Sequence, residues 1–170
     1  MMKNTYIAFL VSILFAANLH AQQNPSFQVY NTYNAATDLL DKGEYVAAAQ
    51  QFKLVEESRV KAGTQTTFES ELSLVKENAQ YYEALCAMNL DNDDAQSMLL
   101  RFIKDHPENP LVKLAYYQIG RSYSRKEQFA EAIEAWKEAL KLKPDYVKAQ
   151  QGMQAAMNNL NAMNAQQPKK

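Results

Sequence analysis

The sequence predicts an all-α protein in which helical hairpins stack in series as an α-solenoid and a last helix caps the array. The first observation is composition, because only 4 Gly and 5 Pro interrupt a chain rich in Ala, Leu, Gln, Glu and Lys. The second is the spacing of apolar residues at three and four positions along most of the chain. The third is a helix-turn-helix unit of about 34 residues that recurs along the sequence.

The amino-terminal residues 1–21 are predicted to be a secretory signal peptide. Lys3 supplies a positive start, an apolar run covers 7–17, and a small-residue cleavage site ends at Ala21. The run is shorter than the roughly 20 apolar residues that a membrane span needs. We therefore expect cleavage after Ala21, with an uncleaved signal anchor as the alternative. A flexible lead-in is predicted at 22–26.

The first hairpin is predicted at 27–57. Its two apolar-periodic stretches are separated by 41–44, which combines acidic residues with Gly and reads as a helix stop and tight turn. Ala48 and Phe52 anchor the second helix of this unit. Thr32 stands at the position that an aromatic residue, Tyr116, fills in the third hairpin described below, so this hairpin matches the third imperfectly.

The second hairpin is predicted at 68–106, after an insertion at 60–67. Thr66 and Glu69 have the spacing of a capping box, which predicts the start of a long helix there. The acidic and amide residues at 91–94 end that helix, and the return helix follows. We interpret this hairpin as a degenerate copy of the unit.

The third hairpin, predicted at 111–143, carries the complete spacing of the unit. Small, aromatic and closing residues fall at fixed intervals along it: Tyr116, Ile119, Gly120, Tyr123, Ala132, Trp136, Ala139 and Pro144. The small residues allow its two helices to approach closely, and the proline ends the second helix.

The last helix is predicted at 145–163 and is amphipathic. Its apolar face consists of Tyr146, Ala149, Met153, Met157, Leu160 and Met163, while Gln and Asn fill most of the other positions. A polar-backed helix of this kind is what the end of a solenoid requires. The remaining residues, 164–170, are predicted to form a disordered tail.

The third hairpin resembles the tetratricopeptide repeat family. The family pattern of an aromatic residue, Leu-Gly, Tyr, Ala, Phe and Pro is filled by the expected residue or a close substitute, such as Tyr116 for Trp and Trp136 for Phe. The resemblance implies a short right-handed superhelix of three hairpins and a capping helix, and it implies a binding scaffold. The stretch 102–120 is also similar to exported proteins of this family from the Gram-negative envelope.

The family resemblance also implies where a partner binds, because the first helix of each hairpin lines a concave groove that holds a peptide or a partner helix. The positions that map onto groove-facing slots are Tyr33, Asn34, Thr37, Tyr82, Glu83, Leu114, Tyr117, Gln118, Arg121, Ser124 and Arg125. Tyr33, Tyr82 and Tyr117 share one slot, so we expect a ladder of rings against a peptide backbone, or alternatively ordinary packing between hairpins. Arg121 and Arg125 suit an acidic side chain or a terminal carboxylate, or alternatively form a solvated charged face.

Catalysis is not expected from this sequence. His106 is the only His outside the predicted signal peptide, and it has no neighbouring nucleophile or metal-spaced ligand. Cys86 lies in an apolar helical stretch and is expected to fill the core. The acidic stretch 91–94 lacks the central Gly and terminal Glu that a calcium-binding loop needs. We predict no cofactor and no metal.

The sequence therefore predicts a non-enzymatic adaptor, periplasmic or secreted, that binds a peptide or helix of an envelope protein. The balance of 18 basic and 19 acidic residues offers no basic surface for nucleic acid, and no membrane insertion is expected after signal cleavage. The alternative is a self-associating subunit of an envelope complex, a possible homo-oligomer that docks through Met157, Leu160 and Met163 of the last helix.

Overall fold

The computed structural model describes residues 25–58 and 67–166. In these ranges it contains seven helices and no strand: α1 Pro25–Asp41, α2 Tyr45–Glu57, α3 Thr67–Asn89, α4 Ala95–Asp105, α5 Val112–Arg125, α6 Phe129–Leu142 and α7 Val147–Gln166. The predicted all-α class is confirmed. Helices α1 and α2, α3 and α4, and α5 and α6 form three hairpins, and α7 packs on the last of them.

Successive hairpins pack mainly through the second helix of one and the first helix of the next, and their first helices also come into contact. Helix α1 contacts α3, α3 contacts α5, and α5 contacts α7, while α2 also packs extensively on α3. Within the described ranges, successive second helices come into no backbone contact, either between α2 and α4 or between α4 and α6. The array therefore has one side formed by the first helices and another side on which the second helices stand apart.

Each hairpin turn is closed by one residue in the left-handed backbone region. These residues are Gly43 with φ 77°, Asp91 with φ 52° and Glu127 with φ 58°. Gly adopts this conformation at little cost, and Asp is tolerated there, whereas a Glu in this region is uncommon. The predicted helix stop at 41–44 thus corresponds to a turn that depends on Gly43.

The first helix begins earlier and the last helix ends later than the sequence predicts. Helix α1 begins at Pro25, inside the predicted flexible lead-in, because Pro is favoured at the first helical position and Ser26 is buried. Helix α7 continues to Gln166, beyond the predicted start of the tail at 164, since no Gly or Pro interrupts the sequence there. The predicted signal peptide and the rest of the lead-in, the insertion with its capping box at Thr66, and 167–170 lie outside the described residues.

The core consists of three clusters of buried side chains that follow one another along the array. Phe52, which is 0% exposed, lies in the first cluster between α1, α2 and α3. Leu99 and Phe102 lie in the second cluster, where α3, α4 and α5 meet. Trp136 lies in the third cluster, with α6 and α7. The first two clusters join neighbouring hairpins and the third joins the last hairpin to α7, as expected for units that cannot bury their apolar faces alone.

The loop between α4 and α5 is fixed to α3 by a buried side chain. Asn109 is 6% exposed, and its Nδ2 donates hydrogen bonds to Glu77 Oε2 at 3.0 Å and Asn78 Oδ1 at 3.1 Å. Its Oδ1 accepts a hydrogen bond from the backbone N–H of Leu111 at 2.9 Å. A buried amide is costly unless its hydrogen bonds are made. These three hydrogen bonds of Asn109, which we call the Asn109 clasp, therefore fix the loop that connects the second hairpin to the third against α3.

Candidate protein-binding surface

A cleft of about 750 Å³ lies between α5 and α7, on the side of the array formed by the first helices. We call it the α5–α7 cleft. It is lined by Tyr117, Arg121, Ser124, Arg125, Trp136, Lys148, Gln151, Gly152 and Ala155. Tyr117, Arg121, Ser124 and Arg125 are among the groove residues predicted from the sequence, and the structure brings these four together on one surface.

The width of the α5–α7 cleft depends on Trp136 of α6. Its indole is 3% exposed, and Nε1 donates a hydrogen bond to the carbonyl oxygen of Tyr117 at 3.1 Å. A Cβ atom added at Gly120 would lie 2.5 Å from Nε1, and one added at Gly152 would lie 2.8 Å from Cζ2. The two glycines therefore let α5 and α7 approach the indole closely, and a side chain at either position would force the ring to move.

Three basic side chains and no acidic side chain line the α5–α7 cleft. Nη1 of Arg121 donates a hydrogen bond to Oε1 of Gln118 at 2.9 Å, which orients the guanidinium. Arg125 is exposed and lies 3.7 Å from the exposed carboxylate of Asp91, a pair that contributes little to stability. Lys148 is exposed and forms no ion pair with a described residue. The positive charge is thus available to an anionic group that enters the cleft.

The buried hydroxyl of Tyr81 lies near Gln118 and Arg121. Tyr81 is 2% exposed, and burial raises the pKa of its hydroxyl to about 12, although a hydrogen bond with Gln118 and the charge of Arg121 partly oppose this shift. The phenol therefore stays neutral near pH 7 and can hydrogen-bond to Gln118. Tyr82 and not Tyr81 is the residue that the sequence predicts for the groove, and the two differ in the structure because Tyr81 is buried and Tyr82 is only partly buried.

The three tyrosines of the predicted ladder do not form one stack. The ring of Tyr33 lies 5.8 Å from that of Phe52 and 6.2 Å from that of Tyr82, which in turn stacks on Phe52 at 5.4 Å. Tyr117 instead lies 5.1 Å from Tyr146, in the turn before α7. Tyr33 and Tyr82 therefore follow the alternative of packing between hairpins, and Tyr117 alone of the three lines the cleft.

The other predicted groove residues are dispersed. Asn34 is exposed on α1, and its carbonyl accepts a hydrogen bond from Thr37 Oγ1 at 2.8 Å. Leu114 packs against the second core cluster. Glu83 lies on the other side of the array, in a pocket of about 260 Å³ with residues of α2 and α4. Successive helix residues point about 100° apart, so the residue that follows Tyr82 turns toward the second helices.

His106 and Cys86, the two residues considered above for catalysis, both have structural roles. Nε2 of His106 lies 3.0 Å from Oε1 of Gln80, and its Nδ1 lies 3.8 Å from Oε2 of Glu77, so the ring joins the Asn109 clasp between α3 and the following loop. Cys86 is 0% exposed, and burial raises the pKa of its thiol to about 11, which keeps the sulfur protonated and unreactive.

Two other kinds of feature are absent from the described ranges. In 25–58 and 67–166, no cluster of three or more His, Cys, Asp and Glu residues has the arrangement needed to hold a metal ion. None of the helices α1 to α7 combines the length and apolar character of a membrane span.

The stacked hairpins and the α5–α7 cleft define an α-solenoid of helix-turn-helix units. Comparison with protein-family models matches residues 78–109 and residues 114–146 to the tetratricopeptide repeat. The chain therefore contains two tetratricopeptide repeats. A comparison with curated proteins gives no match. The repeats indicate a protein–protein interaction scaffold, and proteins of this family are generally non-enzymatic modules that bind other proteins.

Proposed function

We propose that this scaffold works in the bacterial cell envelope and that its α5–α7 cleft binds an extended, acidic segment of an envelope protein. The observation that carries the proposal is the cluster of Arg121, Arg125 and Lys148 beside the half-buried ring of Tyr117, with no acidic lining residue. The volume of about 750 Å³ is within the range of about 300–1,000 Å³ that is usual for ligand-binding clefts.

The cleft offers both parts of a peptide site. Tyr117 presents a flat apolar ring with a polar tip, which suits contact with a peptide backbone. Arg121 is oriented by Gln118, so its guanidinium can take a carboxylate through two parallel hydrogen bonds without first losing much side-chain freedom. Lys148 faces it from α7 and adds a second positive charge. An acidic side chain or a terminal carboxylate is the ligand group that fits this arrangement.

Removing one positive charge from each side of the cleft, Arg121 on α5 and Lys148 on α7, is expected to abolish most of the affinity for an acidic peptide. The double variant Arg121→Gln, Lys148→Gln should bind a short, fluorescently labelled Glu-rich peptide about tenfold or more weakly than the unchanged protein, measured by fluorescence anisotropy. The same peptide with Gln in place of Glu should bind the unchanged protein weakly, and added salt should weaken the binding of the Glu-rich peptide.

The matched control is Lys42→Gln, Lys104→Gln, which removes two exposed charges outside the cleft. This variant should bind the Glu-rich peptide as the unchanged protein does. Equal losses in the two double variants would mean that only net charge matters, and undiminished binding by the cleft variant would remove the cleft from the proposal. Circular dichroism of both variants should show unchanged helical content.

Export to the envelope rests on the signal-peptide pattern of 1–21, which lies outside the described residues. When the full chain is expressed in a Gram-negative host, we expect the protein recovered from the periplasm to begin at Gln22. Replacing the apolar residue Leu14 with Arg should block export, because a charge interrupts the apolar run. Recovery of chains that still begin at Met1 from the periplasm would contradict cleavage after Ala21.

The alternative of self-association through the last helix receives less support. Met157 and Leu160 are partly buried and pack against the cluster around Trp136. Met163 is 44% exposed. Two of the three residues of the proposed sticky face are thus used within the chain.

A further inference from the structure

A second groove lies between α4 and α6, on the side of the array formed by the second helices. We call it the outer groove. Its volume is about 650 Å³, and it exists because the backbones of α4 and α6 stand apart while α5 lies between them. The outer groove and the α5–α7 cleft share no lining residue.

The surface of the outer groove is mainly apolar. Leu100 of α4 is 48% exposed and points into the groove, where Tyr116 and Tyr123 of α5 and Ile133 of α6 also contribute. Leu160 of α7 lines it as well. A single exposed Leu is common on protein surfaces, but here it joins half-buried rings in one continuous concave patch.

The rim of the outer groove is acidic. Three carboxylates of α6 line it, at Glu131, Glu134 and Glu138, against the single positive charge of Lys137. Lys137 is paired with Glu134 at 2.7 Å, and Lys141, beside the rim on the same helix, is paired with Glu138 at 2.5 Å. Glu131 is exposed and has no ion pair with a described residue, so its charge is uncompensated. The rim therefore keeps one uncompensated negative charge, at Glu131, which disfavours nucleic acid and anionic lipid and favours a cationic partner.

We propose that the outer groove docks an amphipathic helix of a protein partner, with apolar residues on one face and Lys or Arg along the edge of that face. An apolar trough between two helices suits the side chains of a third helix at positions i, i+3, i+4 and i+7. The acidic rim of α6 selects the basic edge by charge complementarity. The scaffold then has two separate binding surfaces, one for an extended acidic segment and one for a basic helix.

A second copy of this chain fits the outer groove less well. The chain has a net charge of −1, and the exposed Leu54 of α2 is next to Lys53, whose charge is paired with Glu57 at 4.0 Å. A helix of this kind brings no net positive charge to the acidic rim.

Two synthetic helical peptides test the proposal on the full chain. Both have Leu at i, i+3, i+4 and i+7, and they differ in carrying Lys or Glu along the edges of the Leu face. The Lys peptide should bind, and the Glu peptide should bind about tenfold or more weakly, as measured by fluorescence anisotropy. Equal binding of the two peptides would overturn the proposal, because it would show no selection by the rim.

Variants locate the binding. Leu100→Gln should weaken binding of the Lys peptide about tenfold, and Glu131→Gln should weaken it about threefold. The matched control Leu54→Gln removes a similarly exposed Leu of α2, which is 56% exposed, and should leave binding of the Lys peptide unchanged. A loss that is the same for Leu54→Gln and Leu100→Gln would overturn the assignment to the outer groove.

Two further measurements complete the test. The cleft variant Arg121→Gln, Lys148→Gln should bind the Lys peptide as the unchanged protein does, whether or not it still binds acidic peptides. Sedimentation should give a monomer for the unchanged protein. A dimer that Leu100→Gln dissociates would show that a second copy occupies the groove, and it would overturn the proposal of a basic partner helix.

Discussion

Replacing Trp136 with Ala is expected to lower the free energy of unfolding by about 3–5 kcal/mol, because the substitution empties a site that no neighbour can fill. The indole is 3% exposed and lies against the backbone at both Gly120 and Gly152. Neither glycine has a side chain that could move into the space. The hydrogen bond from Nε1 to the carbonyl oxygen of Tyr117 would also be lost.

Urea unfolding followed by circular dichroism measures this effect, since Trp136 is the only Trp and its fluorescence is lost with it. The matched control is Leu142→Ala on the same helix, where the side chain is 54% exposed and the expected change is within about 0.5 kcal/mol. The Trp136→Ala variant should also bind the Glu-rich peptide more weakly, because α5 and α7 lose the indole on which both pack. A loss of stability no greater than that of Leu142→Ala would contradict the role given to the indole.

Replacing Phe52 with Ala is expected to cost a similar amount, about 3–5 kcal/mol, in the opposite half of the array. The ring is 0% exposed and is enclosed by Tyr33 and Tyr82, at 5.8 Å and 5.4 Å between ring centroids. Leu54→Ala, two residues further along α2 and 56% exposed, is the control and should be nearly neutral.

Hydrogen exchange should show where the Phe52 variant opens. Stability in a stacked array is approximately a sum of unit and nearest-neighbour terms, so damage to the first core cluster should mainly expose amides of α1, α2 and α3. Helices α5 to α7 should keep most of their protection, and the fluorescence of Trp136 should stay close to that of the unchanged protein. An equal loss of protection in all seven helices would show that the described chain unfolds as one unit instead.

Helices, hairpins and repeats could be predicted because their signals are local. Gly120, Ala132 and Trp136 fall at spacings that describe one helix packed closely on the next, and the structure contains that packing. The cleft residues of the third hairpin were predicted for the same reason. A well-formed repeat places Tyr117 and Arg121 on the same face one turn apart.

The second hairpin shows where such local reasoning ends. Its helix α3 is long, and Tyr81, Tyr82 and Glu83 follow one another on it, so a small error in alignment moves a residue to another face. In the structure Tyr81 is buried in the second core cluster, Tyr82 stacks on Phe52, and Glu83 lies toward the second helices. Two features of α7 were also missed, namely Gly152 and Lys148. A Gly inside a helix is costly relative to Ala, so Gly152 could have been recognised as a point of close approach.

The sequence by itself determined that the chain forms helices, that these pair as hairpins, and that the third hairpin is a tetratricopeptide repeat, because each signal spans a few helical turns. Only the tertiary structure decided which tyrosines face a cleft, that α7 contributes Lys148 to it, and that α4 and α6 leave a second groove between them. The physical reason is that these surfaces join residues far apart in sequence. Whether those residues meet depends on how α7 packs against Trp136 through Gly152 and on how the hairpins stack, and no local spacing encodes either.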